Sequence, residues 1–233
     1  MDMVFEGFPA GAGQFLRDLR DNNNKEWFEA HKPTYIDALR TPAQAFVMAV
    51  GERLQDIISP EVYYDTRTNG SGSLMRINRD VRFSKDKSPY KENLAMIWWQ
   101  GPGKKMQNPA FGLQISPTGV GMMAGMFGFD KDQLALYRDA VDDDKKGKAL
   151  ESTVAKVQKA GDYELFGEAL KKVPHGYDAD HPRADLLKYK GLYAHLKEDL
   201  PQDVINSADF VDITVEHLVN MAPIQQWLVQ VMN

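Results

Sequence analysis

A chain of 233 residues with 43% apolar side chains can bury a sizeable core and is neither disordered nor fibrous. No apolar run approaches the ~18 to 20 residues that a bilayer span needs, so no membrane crossing is expected, and a net charge of −5 with a pI near 5.6 argues against broad coating of nucleic acid. Zero cysteines exclude disulfides, thiolate metal sites, iron–sulfur clusters and a cysteine nucleophile; together with an N-terminus lacking a basic leader or a signal-length apolar stretch, they set the expectation of a soluble cytoplasmic protein.

Phe15, Leu16 and Leu19 make a short apolar helical stripe, which Asn22, Asn23 and Asn24 interrupt because asparagine competes for backbone hydrogen bonds. Asn24 reads as the N-cap of a second helix. There Trp27, His31 and Tyr35 recur at i, i+4 and i+8 on one face, and Pro33 predicts a kink or a split. Thr41 and Pro42 read as the N-cap and first position of a third helix, striped by Phe46, Val47, Val50, Leu54 and Ile57 as far as Pro60. From Val62 the period falls to two and predicts strands at 62–66, 74–83, 93–100, 111–116 and 120–127, the last two joined by a turn at Pro117, Thr118 and Gly119. The strand at 93–100 is apolar on both faces and hence central, so its Trp98 and Trp99 read as packing side chains rather than a stacking platform.

Helices return at Asp130, with Gln133 at the capping-box position and Leu134, Tyr137 and Val141 as the buried stripe. The charged run 142–148 reads as a solvated junction, Leu150, Val154 and Val157 as a further helix ending at Gly161, and 171–182 as irregular. Helical patterning is read again over 184–196 and 207–221, and Pro223 restarts a last set of turns anchored by Ile224, Trp227, Leu228 and Val231. Segregation into helices (12–58), sheet (62–127) and helices (130–233) predicts a single α+β domain over 1–233, a central and mostly antiparallel sheet flanked by N-terminal and C-terminal helices.

Charge is unevenly spread. Residues 76–91 hold six of the 28 basic side chains and two of the 33 acids, Asp80 and Asp86, a local +4; the remaining 22 basic and 31 acidic groups sum to −9. Were 74–83 a strand, Arg79 would share a face with Ile77, Val81 and Phe83, and an arginine there must be paired with a buried carboxylate or a ligand. Beyond it, Asp86 favours an Asx turn before Pro89, with Lys85, Lys87 and Lys91 around the rim. The candidate ligand-binding residues are Arg76, Arg79, Arg82, Lys85, Lys87, Tyr90 and Lys91, with Arg82 and the lysines the better contacts because Arg79 and Asp80 are placed to organise the strand.

The segment from Arg79 to Lys91, RDVRFSKDKSPYK, resembles the hallmark of the family called domain of unknown function 2461. Further matches are Asn23, Asn24, Trp27, Phe28 and Tyr35; Tyr137 and Arg138; Leu170 and Lys171 with Pro174, His175, Gly176 and Tyr177; His181 and Pro182 with Leu186 and Leu187; and Pro223 with Trp227 and Leu228. The resemblance implies an α+β fold and a shared central segment, and implies no substrate.

Function is therefore read from the residues. Clustered arginines and lysines can hold a small anionic ligand, phosphorylated or not, or can be neutralised by acids of the fold as a structural network; a surface for a protein partner is the third reading. A second constellation, His175, Asp178, Asp180 and His181, has metal-ligand chemistry and would suit a metal-assisted hydrolase, but its spacing matches no standard motif and the same residues suit a turn and the start of a helix at Pro182. Accordingly no metal and no cofactor are expected. His31 reads as a packed histidine, and the formal GxGxxA of Gly119 to Ala124 is discounted because no helix follows it directly.

Overall fold

The computed structural model describes residues 4–232. Helix α1 (Gly11–Asp21) buries Phe15, Leu16 and Leu19, and α2 (Lys25–Tyr35) starts where the Asn24 side chain accepts from the Trp27 N–H at 3.0 Å. Pro33 does not split α2. The chain runs through a π-helical turn, Ile36–Arg40, directly into α3 (Thr41–Ile57), and Thr41 has helical φ and ψ of −68° and −49°. The expected cap at Thr41 is thus corrected: its N–H donates to the Ile36 carbonyl five residues back, and this wider turn gives the Pro42 ring clearance inside a continuing helix.

Seven strands form one antiparallel sheet in the order β1-β2-β3-β4-β6-β5, with β7 also paired to β4. They are β1 (Val62–Tyr63), β2 (Leu94–Gln100), β3 (Ala110–Ile115), β4 (Gly119–Met126), β5 (Tyr163–Phe166), β6 (Leu192–Leu196) and β7 (Leu200–Pro201). The architecture is α+β, as the segregation of the sequence predicts. Register is explicit on β4, where Met123 faces His195, Gly125 faces Tyr193 and Gly119 faces Pro201. Helices α4 (Lys131–Asp142), α5 (Asp144–Ala160), α6 (Ala184–Leu187) and α7 (Phe210–Met232) complete the fold. Asp130 and Gln133 close the expected capping box on α4.

Two readings are overturned. The stretch 74–83 is bent and makes only isolated bridges, Leu74 to Met96 and Asn78 to Tyr90, because Asp80, Asp86 and Pro89 turn the chain before a ladder can propagate. The stretch 130–233, expected to be helical, contains β5, β6 and β7; the helix expected over 184–196 stops at Leu187, and Leu192–Leu196 alternates buried and half-buried residues as a strand does.

The chain gathers into two compact units. The first takes residues through Trp98, Gly112–Met122 and Asp199–Glu216. Its core is aromatic. Phe46 stacks on Phe210 with centroids 4.7 Å apart and meets Phe5 at 4.9 Å, while Trp98, fully buried, donates from Nε1 to the Val47 carbonyl at 2.9 Å. The second unit takes Trp99–Phe111, Met123–Glu198 and the residues from His217 on. Tyr137, stacked on Phe129 at 4.7 Å and edge-on to Trp227 at 6.0 Å, lies at its centre. A part-buried amide relay belongs to the same unit: Gln226 Nε2 donates to Gln100 Oε1 at 2.8 Å and to Gln225 Oε1 at 2.6 Å. No helix of the described residues is long and apolar enough to cross a membrane.

Candidate functional site

The basic segment is an irregular loop pinned at its base. Arg79 N–H donates to the Pro89 carbonyl at 2.9 Å and Lys91 N–H to the Ile77 carbonyl at 2.7 Å, on either side of the Asn78–Tyr90 bridge. Asn23 then grips the middle of that base from the α1–α2 turn, its Nδ2 donating to the Tyr90 carbonyl at 3.0 Å and its Oδ1 accepting the Tyr90 N–H at 3.1 Å. The Tyr90 ring stacks on Phe28 at 4.0 Å. This side chain is buried, so Tyr90 anchors the loop from the core instead of offering its hydroxyl at the rim.

Inside the loop the two arginines of the RDVR run are each engaged by an acid. Arg79 pairs with Asp86 through Nη1 and Oδ2, and Arg82 forks onto Asp80, with Nε 2.9 Å from Oδ1 and Nη2 2.6 Å from Oδ2. The Ser88 hydroxyl at 2.6 Å and N–H at 2.9 Å meet Asp86 Oδ1 and close the Asx turn; with the Arg79 guanidinium they hold the Asp86 carboxyl well below the usual carboxylate range. The Arg82 side chain and backbone N–H hold the Asp80 carboxyl low in the same way. Arg79 is less enclosed than a strand face would make it, its side chain retaining 28% of its exposure. Lys87 Nζ donates to the Val81 carbonyl at 2.9 Å, Lys85 is exposed, and Arg82 lies over the ring of Phe83, which is 95% exposed.

Arg76 and Lys91 differ. Among the described residues neither has an ion-pair partner, and they are near enough for the Arg76 charge, after burial, to push the half-buried Lys91 ammonium below its ordinary value. The Arg76 stem crosses the loop Thr68 to Ser73 at Gly70, whose φ of +89° calls for glycine and whose missing Cβ would stand 2.8 Å from Arg76 Cδ and Nε. That loop has its own framework: Asn69 Oδ1 accepts from Ser71 N and Oγ at 3.1 and 2.6 Å, and Asp65 accepts from Arg67 Nε at 2.7 Å. Arg76 thus lies against a tight Gly/Ser loop and within electrostatic reach of Lys91, and among the described residues neither cation is ion-paired.

The His/Asp constellation does not assemble. Asp178 Oδ1 accepts the Asp180 N–H at 2.9 Å; His181 Nδ1 accepts the Arg183 N–H at 3.0 Å, which leaves the proton on Nε2, 3.4 Å from Asp142 Oδ1. No three His, Asp or Glu among the described residues are placed to hold a metal ion. The residue that organises this region is Arg183, which the sequence reading missed. Its side chain is 3% exposed, donates to the Val141 and Asp142 carbonyls at 2.7 and 3.1 Å, and lies 3.6 and 3.7 Å from Asp144 and Glu151. It satisfies the last carbonyls of α4. Placed just after Pro182, it looks in the sequence like one more surface cation, and only its long-range partners reveal it.

A seven-stranded antiparallel sheet flanked by helices, carrying an RDVRFSKDKSPYK loop whose two arginines are each paired with an acid, defines the class of protein. The chain matches the family described as "Conserved hypothetical protein (DUF2461)" over residues 12–227, and it belongs to that family. No curated protein matches it.

Proposed function

We propose that the protein is a cytoplasmic binder of a small anionic ligand, phosphorylated ligands among them, held where Arg76 and Lys91 converge beside the 68–73 loop. The observation that carries this reading is the like-charge pair itself. A fold that neutralises Arg79 with Asp86 and Arg82 with Asp80 has acids to spare, yet sets two cations together without one. An anion between them removes their repulsion, and the Arg76 guanidinium offers a fork while Lys91 offers a point charge. Of the other residues in the segment, Arg79, Arg82 and Lys87 shape the loop, Lys85 adds to its field, and Tyr90 anchors it.

Thermal unfolding with added sulfate or phosphate tests the reading. Wild-type protein at 100 times the dissociation constant should gain about 2.7 kcal/mol. The double variant Arg76→Gln with Lys91→Gln should fold without loss, since it removes a repulsion, and should lose that gain. Equal gains in both proteins would sink the site.

A further inference from the structure

A second cationic feature lies in the other unit and takes no part in the site above. The irregular loop after β5 borders an open cavity of about 700 Å³, within the range of small-ligand sites, whose walls carry Lys171, Lys172, Lys188 and His175 beside Pro174 and Tyr177 and include no carboxylate. Backbone pairing forces this gathering. The Leu170 N–H donates to the Lys188 carbonyl at 2.8 Å and Ala169 faces Tyr189 across an antiparallel bridge, so Lys171 leaves the ladder beside Lys188. Like charges across a ladder destabilise it. Lys188 is relieved by Asp185 at 2.7 Å, but Lys171 and Lys172 have no acid partner among the described residues.

The loop is built to keep its shape. Arg183 ties its far end to α4, and the Tyr137 hydroxyl donates to the Leu186 carbonyl at 2.9 Å. Between the anchors Gly176 takes a φ of +98° with nothing within 4 Å of where its Cβ would stand, so conformation alone demands glycine there; the turn sets His175 and Tyr177 on the cavity and leaves the space beside them open. The Tyr177 hydroxyl donates to Asp139 Oδ1 on α4 at 3.3 Å, which ties the ring to that helix. A cavity rimmed by Lys171 and Lys172, neither ion-paired among the described residues, and walled by Pro174 and Tyr177 suits a ligand with a compact multiply charged head and a flat apolar body.

We propose that this cavity binds a small phosphomonoester, with Lys171 and Lys172 on the phosphate and the body against Pro174 and Tyr177. Lysines serve as point charges for a tetrahedral dianion, where a planar carboxylate would favour an arginine fork. The wall residues predict that an aromatic phosphomonoester outbinds the bare ion.

Amide chemical shifts during titration with phenyl phosphate, inorganic phosphate or sodium chloride at matched ionic strength test this in the full chain. Shifts at Gly176 and Tyr177 report the cavity, and shifts at Gly70 and Lys91 report the other site. Phenyl phosphate should move Gly176 and Tyr177 at concentrations about tenfold below inorganic phosphate, a difference of about 1.4 kcal/mol. The exposed pair Lys171→Gln with Lys172→Gln should weaken that response at least about tenfold and leave the Gly70 response intact, while Arg76→Gln should do the reverse. No movement at Gly176 and Tyr177, movement equal to that with chloride, or an unchanged affinity in the Lys171/Lys172 variant would each overturn the cavity; loss of the Gly70 response alone would count only against the Arg76 site.

Discussion

Arg79 shows how a charge can be read correctly for its pairing and wrongly for its depth. Alternation along 74–83 places it among Ile77, Val81 and Phe83, and the demand for a buried carboxylate or a ligand follows; the carboxylate that pairs with it, Asp86 from seven residues away, is exposed. Because the segment never joins a ladder, the same alternation overstates burial, and Phe83, which should share the buried face, is exposed. The pH dependence follows from Asp86. Its folded value lies below the ordinary 3.8, so its contribution to holding the loop is complete above that pH and is lost as pH falls from 3.8 toward the folded value. Exchange of the Ser88 amide should therefore accelerate below pH 3.8 relative to the core, and Asp86→Asn should make it fast already at neutral pH. An amide as protected at low pH as at neutral pH would contradict the role given to Asp86. Arg183 is the converse lesson, since its burial depends on carbonyls some forty residues away, which no local pattern encodes.

At the scale of elements, legibility tracks how local the determining forces are. Asn24 as the cap of α2, the Asp130 box of α4 and the end of α5 before Gly161 are set by neighbours within a turn, and each was readable. Strand β6 was not. Leu186, Leu187, Tyr189, Tyr193 and Leu196 fit a helical stripe as well as the alternation of Leu192, Ala194 and Leu196 fits a strand, and only pairing with β4 and β5 decides between them. The 77–91 base is likewise decided from outside, by Asn23. Asn23→Ala leaves both Tyr90 peptide groups without their side-chain partners, and should cost about 1 to 3 kcal/mol in urea unfolding while loosening the loop. Asn23→Asp keeps the acceptor for the N–H but sets a carboxylate oxygen against the carbonyl, so it should rescue little. A variant as stable as wild type would mean the loop holds without this clamp.

Over the whole molecule, the residues that carry the family resemblance divide into anchors and exposed charge. Asn23, Phe28, Tyr90, Tyr137 and Trp227 all end in the core or in backbone clamps, whereas Lys91 and Lys171, like Arg76 and Lys172 outside the matched positions, have no acid partner among the described residues. The sequence resemblance thus located the scaffold more sharply than the chemistry, because packing residues are recognisable one by one while a site exists only once distant segments meet. Helices first, strands next, helices last was enough to name the α+β class, but not to foresee that the chain passes between its two units five times.

That interleaving bears on how the protein is made. The first unit needs Asp199–Glu216, including Phe210 from its aromatic cluster, and the second needs the residues after His217, including Trp227 against Tyr137. A growing polypeptide emerges at about 5 to 20 residues per second, so neither hydrophobic centre can close until these late segments have been made. A nascent chain halted at residue 198 should remain protease-sensitive on the ribosome, although it already encodes six of the seven strands. Resistance of that arrested chain to limited proteolysis would refute this. Until those segments emerge, then, the Phe46 and Tyr137 surroundings are exposed apolar surface, and holding them apart from other chains falls to whatever receives the polypeptide at the tunnel exit.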